Sequence, residues 1–172
     1  MQCVGFSPIA AADARVLILG TLPSIASLQR AQYYAHPQNG FWWIMGNLVG
    51  AAPDLPYEER KQRLSAAGIA LWDVCHAAHR IGSSDAKIER STLVPNDLAA
   101  FFATHARIQL ICFNGQAAEK LFRATVPPLP KLIPTCTLES TSPANARIRR
   151  EEKLVCWRTA LEPYLGRSTP IS

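Results

Sequence analysis

The polar side chains best placed to do chemistry fall in four short segments, each directly behind an apolar run. They read Gly20-Thr-Leu-Pro-Ser24, Asp73-Val-Cys-His76, Asn114-Gly-Gln116 and Glu139-Ser-Thr-Ser-Pro-Ala-Asn145. Amides, hydroxyls and the Asp73 carboxylate suit recognition of a neutral heterocycle and the placing of a water molecule. They suit phosphate transfer poorly. A fifth segment, Tyr33-Tyr-Ala-His-Pro-Gln-Asn-Gly-Phe-Trp-Trp43, gathers aromatics in a loop containing Pro and Gly, where a ring can serve as a stacking platform for a base. Tyr34, ahead of the proline, is read as the stacking residue. Phe41 and Trp42 are read more simply as the start of a helix that faces the core.

Other chemistries find no support. There is no G-x-G-x-x-G behind the first strand, no G-x-x-x-x-G-K-[ST] and no G-x-S-x-G elbow. Cys75, His76 and His79 supply one thiol and two imidazoles with no clear fourth ligand, so no metal is expected. The five cysteines, Cys3, Cys75, Cys112, Cys136 and Cys156, are odd in number and lack a C-x-x-C pair, which reads as reduced, buried thiols. None of the four segments contains a lysine, so no Schiff base and no lyase step is expected. No cofactor is expected either.

Such segments need strands to present them. Apolar runs at 16–20, 68–74, 108–113 and, more weakly, 132–138 lack polar alternation and read as buried parallel strands. Helical patterns lie between and after them, at 41–49, 57–67, from Asn96 as a possible N-cap, 116–124 and 150–165. This alternation predicts a three-layer α/β/α sandwich with a short, mostly parallel four-stranded sheet. Ligands bind such sheets beyond the C-terminal strand ends, and Asp73 and Asn114 are expected to end two central strands.

With 172 residues and 48% hydrophobic content, one domain over 1–172 is expected. It would carry a loose tail at 167–172 and a stiff connector at 127–130. No apolar run approaches about 18 residues and no signal leader is visible, so a cytoplasmic monomer without membrane contact is expected. Lys and Arg number 18 against 13 Asp and Glu, a net charge of +5, which leans toward a polyanionic partner. Arg147, Arg149 and Arg150 concentrate that charge behind the Ser/Thr/Pro loop. The bland alternative is a solvated loop with ordinary surface arginines.

Gly20-Thr-Leu-Pro-Ser24, the segment from Tyr33 to Trp42 and Ser140-Thr-Ser-Pro-Ala-Asn-Ala146 together resemble the uracil-DNA glycosylase superfamily, most closely its hypoxanthine-DNA (deoxyinosine) glycosylase branch. The likeness runs from the first strand to the loop before the last helix. It implies a monofunctional glycosylase of double- or single-stranded DNA containing a deaminated base. A uracil or mismatch glycosylase, or a non-catalytic nucleic-acid-binding module, are its alternatives. Much of the superfamily positions the attacking water with Asp or Asn where this chain has Leu22. The resemblance implies that Asn39 takes that role, with Leu22 left to line the base pocket. The usual third-motif His or Asn is replaced by Ser140, Thr141 and Ser142, which pushes the expected substrate from uracil toward a deaminated purine. Ala144 stands where relatives carry a bulkier wedge. Tyr34, Asp73, Asn114, Leu22 and Ser140 are expected at the base. Thr21, Ser24, Ser142, Asn145, Arg147 and Arg149, with Arg150, are expected at phosphates. For Asp73 a loop cap paired with Arg80 stays open, as does a plain turn for Asn114.

Overall fold

A computed structural model describes residues 1–129 and 131–166; the tail expected at 167–172 lies outside them, as does Pro130 of the connector. Strand β1 (Gln2–Val4) precedes β2 (Val16–Gly20), which is followed by helices α1 (Ile25–Arg30), α2 (Phe41–Val49) and α3 (Tyr57–Ala66). Then come β3 (Ile69–Asp73), β4 (Cys75–His79), β5 (Val94–Pro95), α4 (Leu98–Thr104), β6 (Leu110–Asn114), α5 (Gln116–Thr125), β7 (Thr135–Leu138) and α6 (Arg150–Leu161). Short 3₁₀ turns cover Asp85–Lys87, Arg90–Thr92 and Glu162–Tyr164.

Strands β3, β2, β6 and β7 form the expected four-stranded sheet, in that order and wholly parallel. Side chains alternate across a strand, so Val16 and Ile18 pack with Ile44, Met45, Leu64 and Trp157 on one face. Leu17 and Leu19 pack with Phe101, Phe102 and Ala118 on the other. Helices α2, α3 and α6 thus cover one face, and α4 and α5 the other. Burial on both faces explains why these strands read as unbroken apolar runs.

Three expectations need correction. Asp73 ends β3, which is an edge strand of this sheet, not a central one. The N-cap of α4 is Asp97, whose carboxylate accepts from the Ala100 N–H at 2.9 Å, while the Asn96 amide donates to the Asp73 carbonyl at 2.8 Å. The last helix stops at Leu161 because Pro163 cannot donate within a helical interior; a 3₁₀ turn completes it. A second, antiparallel sheet of β1, β4 and β5 was not expected at all. Its strands hold three, five and two residues, too few to show a period.

Candidate active site

The chain runs from β2 outward to β3, then crosses back to β6 on the other side of β2. That reversal opens a crevice beyond the C-terminal end of β2, the place where open α/β sheets bind ligands. Gly20 ends β2 there, in register with Asp73 of β3, and Asn114 ends the neighbouring β6. A Cβ on residue 20 would stand 2.5 Å from Asp73 Oδ1 and 2.9 Å from the Tyr34 hydroxyl. Only glycine leaves these two oxygens room to converge. The resulting pocket is open over about 100 Å³, and Leu22, Tyr34, Asn39, Asp73, Asn114 and Ser140 all line it. Thr21, Ser24 and Ser142 stand at the same pocket. The fold therefore gathers the base-site residues expected from sequence.

Asp73 is the least compensated group in it. The residue is buried and its Oδ2 has no hydrogen-bond partner, as is also true of the Tyr34 hydroxyl. Burial pushes the Asp73 carboxyl up to about 7, with the nearby Asp85 carboxylate adding to the rise and Arg80 opposing it. The expected alternative, an Asp73–Arg80 pair, does not form. The buried Arg80 guanidinium donates instead to the carbonyls of Gly82 at 2.9 Å, Leu22 at 3.3 Å and Pro23, and stands 3.9 Å from Asp85. An orphaned buried carboxylate in a cleft costs stability, and such groups mark functional sites.

Tyr34 has a backbone φ of +53°, a left-handed conformation that side-chain-bearing residues seldom adopt and that clusters at functional sites. It aims the hydroxyl at Gly20. One ring face is already covered by Phe41, stacked at 4.2 Å. Burial first, and then the Asp73 charge, raise the phenol pKa, so the hydroxyl stays a donor. Phe41 and Trp42 are buried in the core, as expected.

The Asn39 side-chain oxygen accepts from the Phe41 N–H at 3.0 Å. That bond fixes the amide at the start of α2 and leaves the oxygen one further lone pair. Asn114 proves to be a latch as well as a pocket wall. Its oxygen accepts from the Thr141 N–H and its amide donates to Thr141 Oγ1, both at 2.9 Å, leaving one N–H for a ligand. It is therefore not a plain turn residue. The adjacent Gly115, at φ +95°, has no room for a side chain, since a Cβ would meet Ser140 Cβ at 2.9 Å.

The loop behind β7 is built from its own polar groups. Ser140 Oγ accepts from the Ser142 N–H and Ser142 Oγ from the Ala144 N–H, each at 3.2 Å. The Asn145 amide donates to Glu139 at 3.0 Å, while Lys153 donates to the Asn145 carbonyl at 2.8 Å. Ser24 Oγ likewise caps α1 by accepting from Ser27 N–H. Arg147 is exposed and lines a wider groove of about 810 Å³ with Ser24, His36, Asn39 and Ser142. Arg149 pairs with Glu152 at 3.2 Å, and Arg150 pairs with Glu151 while lying over the Trp43 ring at 4.7 Å.

Thr141, Ser83 and Asp85 line the pocket and escaped the sequence reading. Thr141 is buried and holds the loop behind β7 to β6. Asp85 lines the pocket from the loop after β4 and accepts from Thr21 Oγ1 at 2.6 Å. Asp85 does not directly follow an apolar strand run, and the two serines and one threonine at 140–142 gave no sign of which one turns inward. Cys75 faces the interior and donates to the Ala77 carbonyl, whereas His76 and His79 on the same strand are exposed. Among the described residues no three His, Cys, Asp or Glu side chains are grouped to hold a metal.

Comparison with known proteins agrees with this geometry. A family profile described as the uracil DNA glycosylase superfamily matches residues 7–161. A protein of Methanosarcina acetivorans named hypoxanthine DNA glycosylase is 35% identical over 153 residues, covering 87% of this chain and 92% of its own. One of the same name from Methanosarcina barkeri is 32% identical over 157 residues, 89% of this chain and 94% of its own. A solution NMR structure from Methanosarcina acetivorans, provisionally assigned as a uracil DNA glycosylase, is similar with a TM-score of 0.72 at 35% identity. That match covers 92% of this chain and 98% of the solved one.

Proposed function

The chain belongs to the uracil DNA glycosylase superfamily, and on that premise we propose that it is a DNA repair glycosylase that flips hypoxanthine (deoxyinosine) out of DNA and hydrolyses its N-glycosidic bond. Two relatives bearing the name hypoxanthine DNA glycosylase support the substrate. The observation that carries it in this chain is the unpartnered Asp73 carboxylate at the switch-point crevice.

Hypoxanthine presents N1–H as a donor and O6 and N7 as acceptors. Ionised Asp73 accepts N1–H, while the remaining Asn114 N–H and the Tyr34 hydroxyl donate to O6 or N7. Adenine lacks the N1 hydrogen and would leave the carboxylate unpaired in a dry pocket, a strong basis for rejection. Bond cleavage passes through an oxocarbenium-like sugar, as in glycoside hydrolysis. Asn39 serves there by holding a water with its free lone pair, a contribution through position, not basicity. Leu22 packs with Cys3, Cys75 and Ala78 and shapes the pocket wall.

The test is formation of abasic sites in oligonucleotides carrying a single deoxyinosine, deoxyuridine or deoxyadenosine. Excision of hypoxanthine ahead of uracil, with adenine untouched, is expected. A preference for uracil would make this a uracil or mismatch enzyme. Binding without any abasic product would leave a nucleic-acid-binding module with an inherited pocket.

A further inference from the structure

A base leaves the duplex only if something takes its place in the stack, and proteins that open DNA commonly insert an apolar side chain there. The loop behind β7 offers Ala144, which is exposed but too small to fill a base-sized gap. Ile81 lies on another loop and is 80% exposed. Of the large exposed hydrophobic residues among those described, it alone stands within two positions of a residue lining the base pocket, Ser83. Two Cα steps put its Cα no more than about 7.6 Å from that of Ser83.

The loop that carries Ile81 is held on both sides. Before it, buried Arg80 bonds to the carbonyls of Leu22 and Pro23, which belong to the pocket wall. After it, Gly82 reverses the chain at φ +73° with its carbonyl bound to the same guanidinium, and Ser83 Oγ accepts from the Ile25 N–H at 3.0 Å. A protein that buries most of its apolar side chains thus presents one to solvent on a pinned turn at its pocket rim. Isoleucine is also β-branched, which stiffens χ1.

We propose that Ile81 is the wedge that enters the base stack and fills the gap left by the flipped nucleotide. The inference rests on the glycosylase reading above. Ile81 then matters where a base must be pulled from a paired stack and matters little where it is already free.

The experiment is single-turnover excision by wild type, Ile81→Ala and Ile81→Leu on deoxyinosine in a duplex and in a single strand. Binding to an uncleavable duplex bearing 2-aminopurine beside the lesion is followed by fluorescence. Ile81→Ala should lose at least about tenfold on the duplex and much less on the single strand, and should bind without the full fluorescence rise. Ile81→Leu should restore both. An equal loss on both substrates, or none on the duplex, overturns the wedge. If wild type excises nothing from either strand, the glycosylase reading falls and takes the wedge with it. The exposed side chain supports no core, so an unchanged unfolding midpoint is expected in both variants.

Discussion

In the proposed function Asp73 serves recognition and Asn39 serves attack, and each assignment makes a distinct demand on experiment. On that proposal the ionised form of Asp73 accepts N1–H, and burial pushes its carboxyl up to about 7. Excision measured as kcat/KM should therefore rise with pH through about 7 in wild type, and the rise should be absent in Asp73→Asn. A fall over that range would instead make Asp73 a proton donor to the leaving purine. The same shift has a stability consequence of opposite sign to that of a paired carboxylate. Between its ordinary value of 3.8 and about 7, the unfolded chain has lost the proton that the folded chain keeps, so stability falls as pH rises. The full penalty, on the order of 4 kcal/mol, is present above pH 7. Asp73→Asn should accordingly melt several degrees higher than wild type at pH 8, with little difference at pH 4. A variant that is less stable at both would show that the carboxylate has a partner. Asn39→Ala should lose about two to three orders of magnitude in single-turnover rate, as when one positioned polar group is removed, with DNA affinity near that of wild type. Near-normal cleavage would take Asn39 out of the mechanism.

Strand ends and loops set these residues in place, and the β6–β7 junction is the element on which the pocket turns. Asn114 clamps Thr141 by two bonds, and the Gly40 N–H donates to the Thr141 carbonyl at 3.0 Å. One buried threonine thereby joins the loop behind β7 to β6 and to the turn that carries Asn39. Asn114→Ala should strip two buried groups of their partners, costing about 1–3 kcal/mol each, and slow excision. Thr141→Val tests which role dominates, because it removes only the hydroxyl end of the clamp and leaves the Asn114 amide in place to meet a base. If the two variants slow excision in proportion to the stability they lose, Asn114 acts through the loop; if only Asn114→Ala is slow, it contacts the base. The elements themselves were largely legible. Val16–Gly20 and Leu110–Asn114 are buried on both faces, and that leaves an apolar run as its mark. Asp73 and Asn114 could be read as site residues because chain order alone puts them at strand ends. What stayed hidden was relational. Nothing in the sequence says that β3 lies at an edge, that Arg80 turns to three carbonyls instead of Asp73, or that Asp85 reaches the pocket from a turn twelve residues beyond Asp73. Strands of two and three residues carry too few side chains to print a period.

At the scale of the molecule the question is where a polyanion lies across this face. Two grooves meet near Asp85. One runs past Ser24, Ser142 and Arg147; the other runs between the 85–95 segment and α5, past Arg90 and Lys120. Asp85 is common to both, and the base pocket opens beside them. A net charge of +5 draws DNA to the surface, but local pairing decides which cations count. Arg149 faces Glu152 and Arg150 faces Glu151, so the start of α6 carries little net charge despite its run of basic residues. Exposed pairs of this kind hold only about 0–1 kcal/mol and a phosphate can displace them. The displaced carboxylate then stays beside the phosphate and offsets the gain. Arg147 makes no such pair among the described residues and already lines the groove that reaches Asn39. Each phosphate neutralised releases counterions and adds about 0.9 to the slope of log K against log salt. Arg147→Ala should therefore weaken binding to all DNA sequences alike and flatten the salt dependence by about one unit, and Arg149→Ala should change it clearly less. Removing the opposing charges, by Glu151→Gln with Glu152→Gln, should tighten binding and steepen the dependence. Titrations of an abasic-site duplex across a range of salt concentrations distinguish these outcomes. Equal slopes for the Arg147 and Arg149 variants would mean that the duplex crosses the start of α6 and breaks its ion pairs, and a wild-type slope for Arg147→Ala would move the backbone path to the Arg90 and Lys120 side.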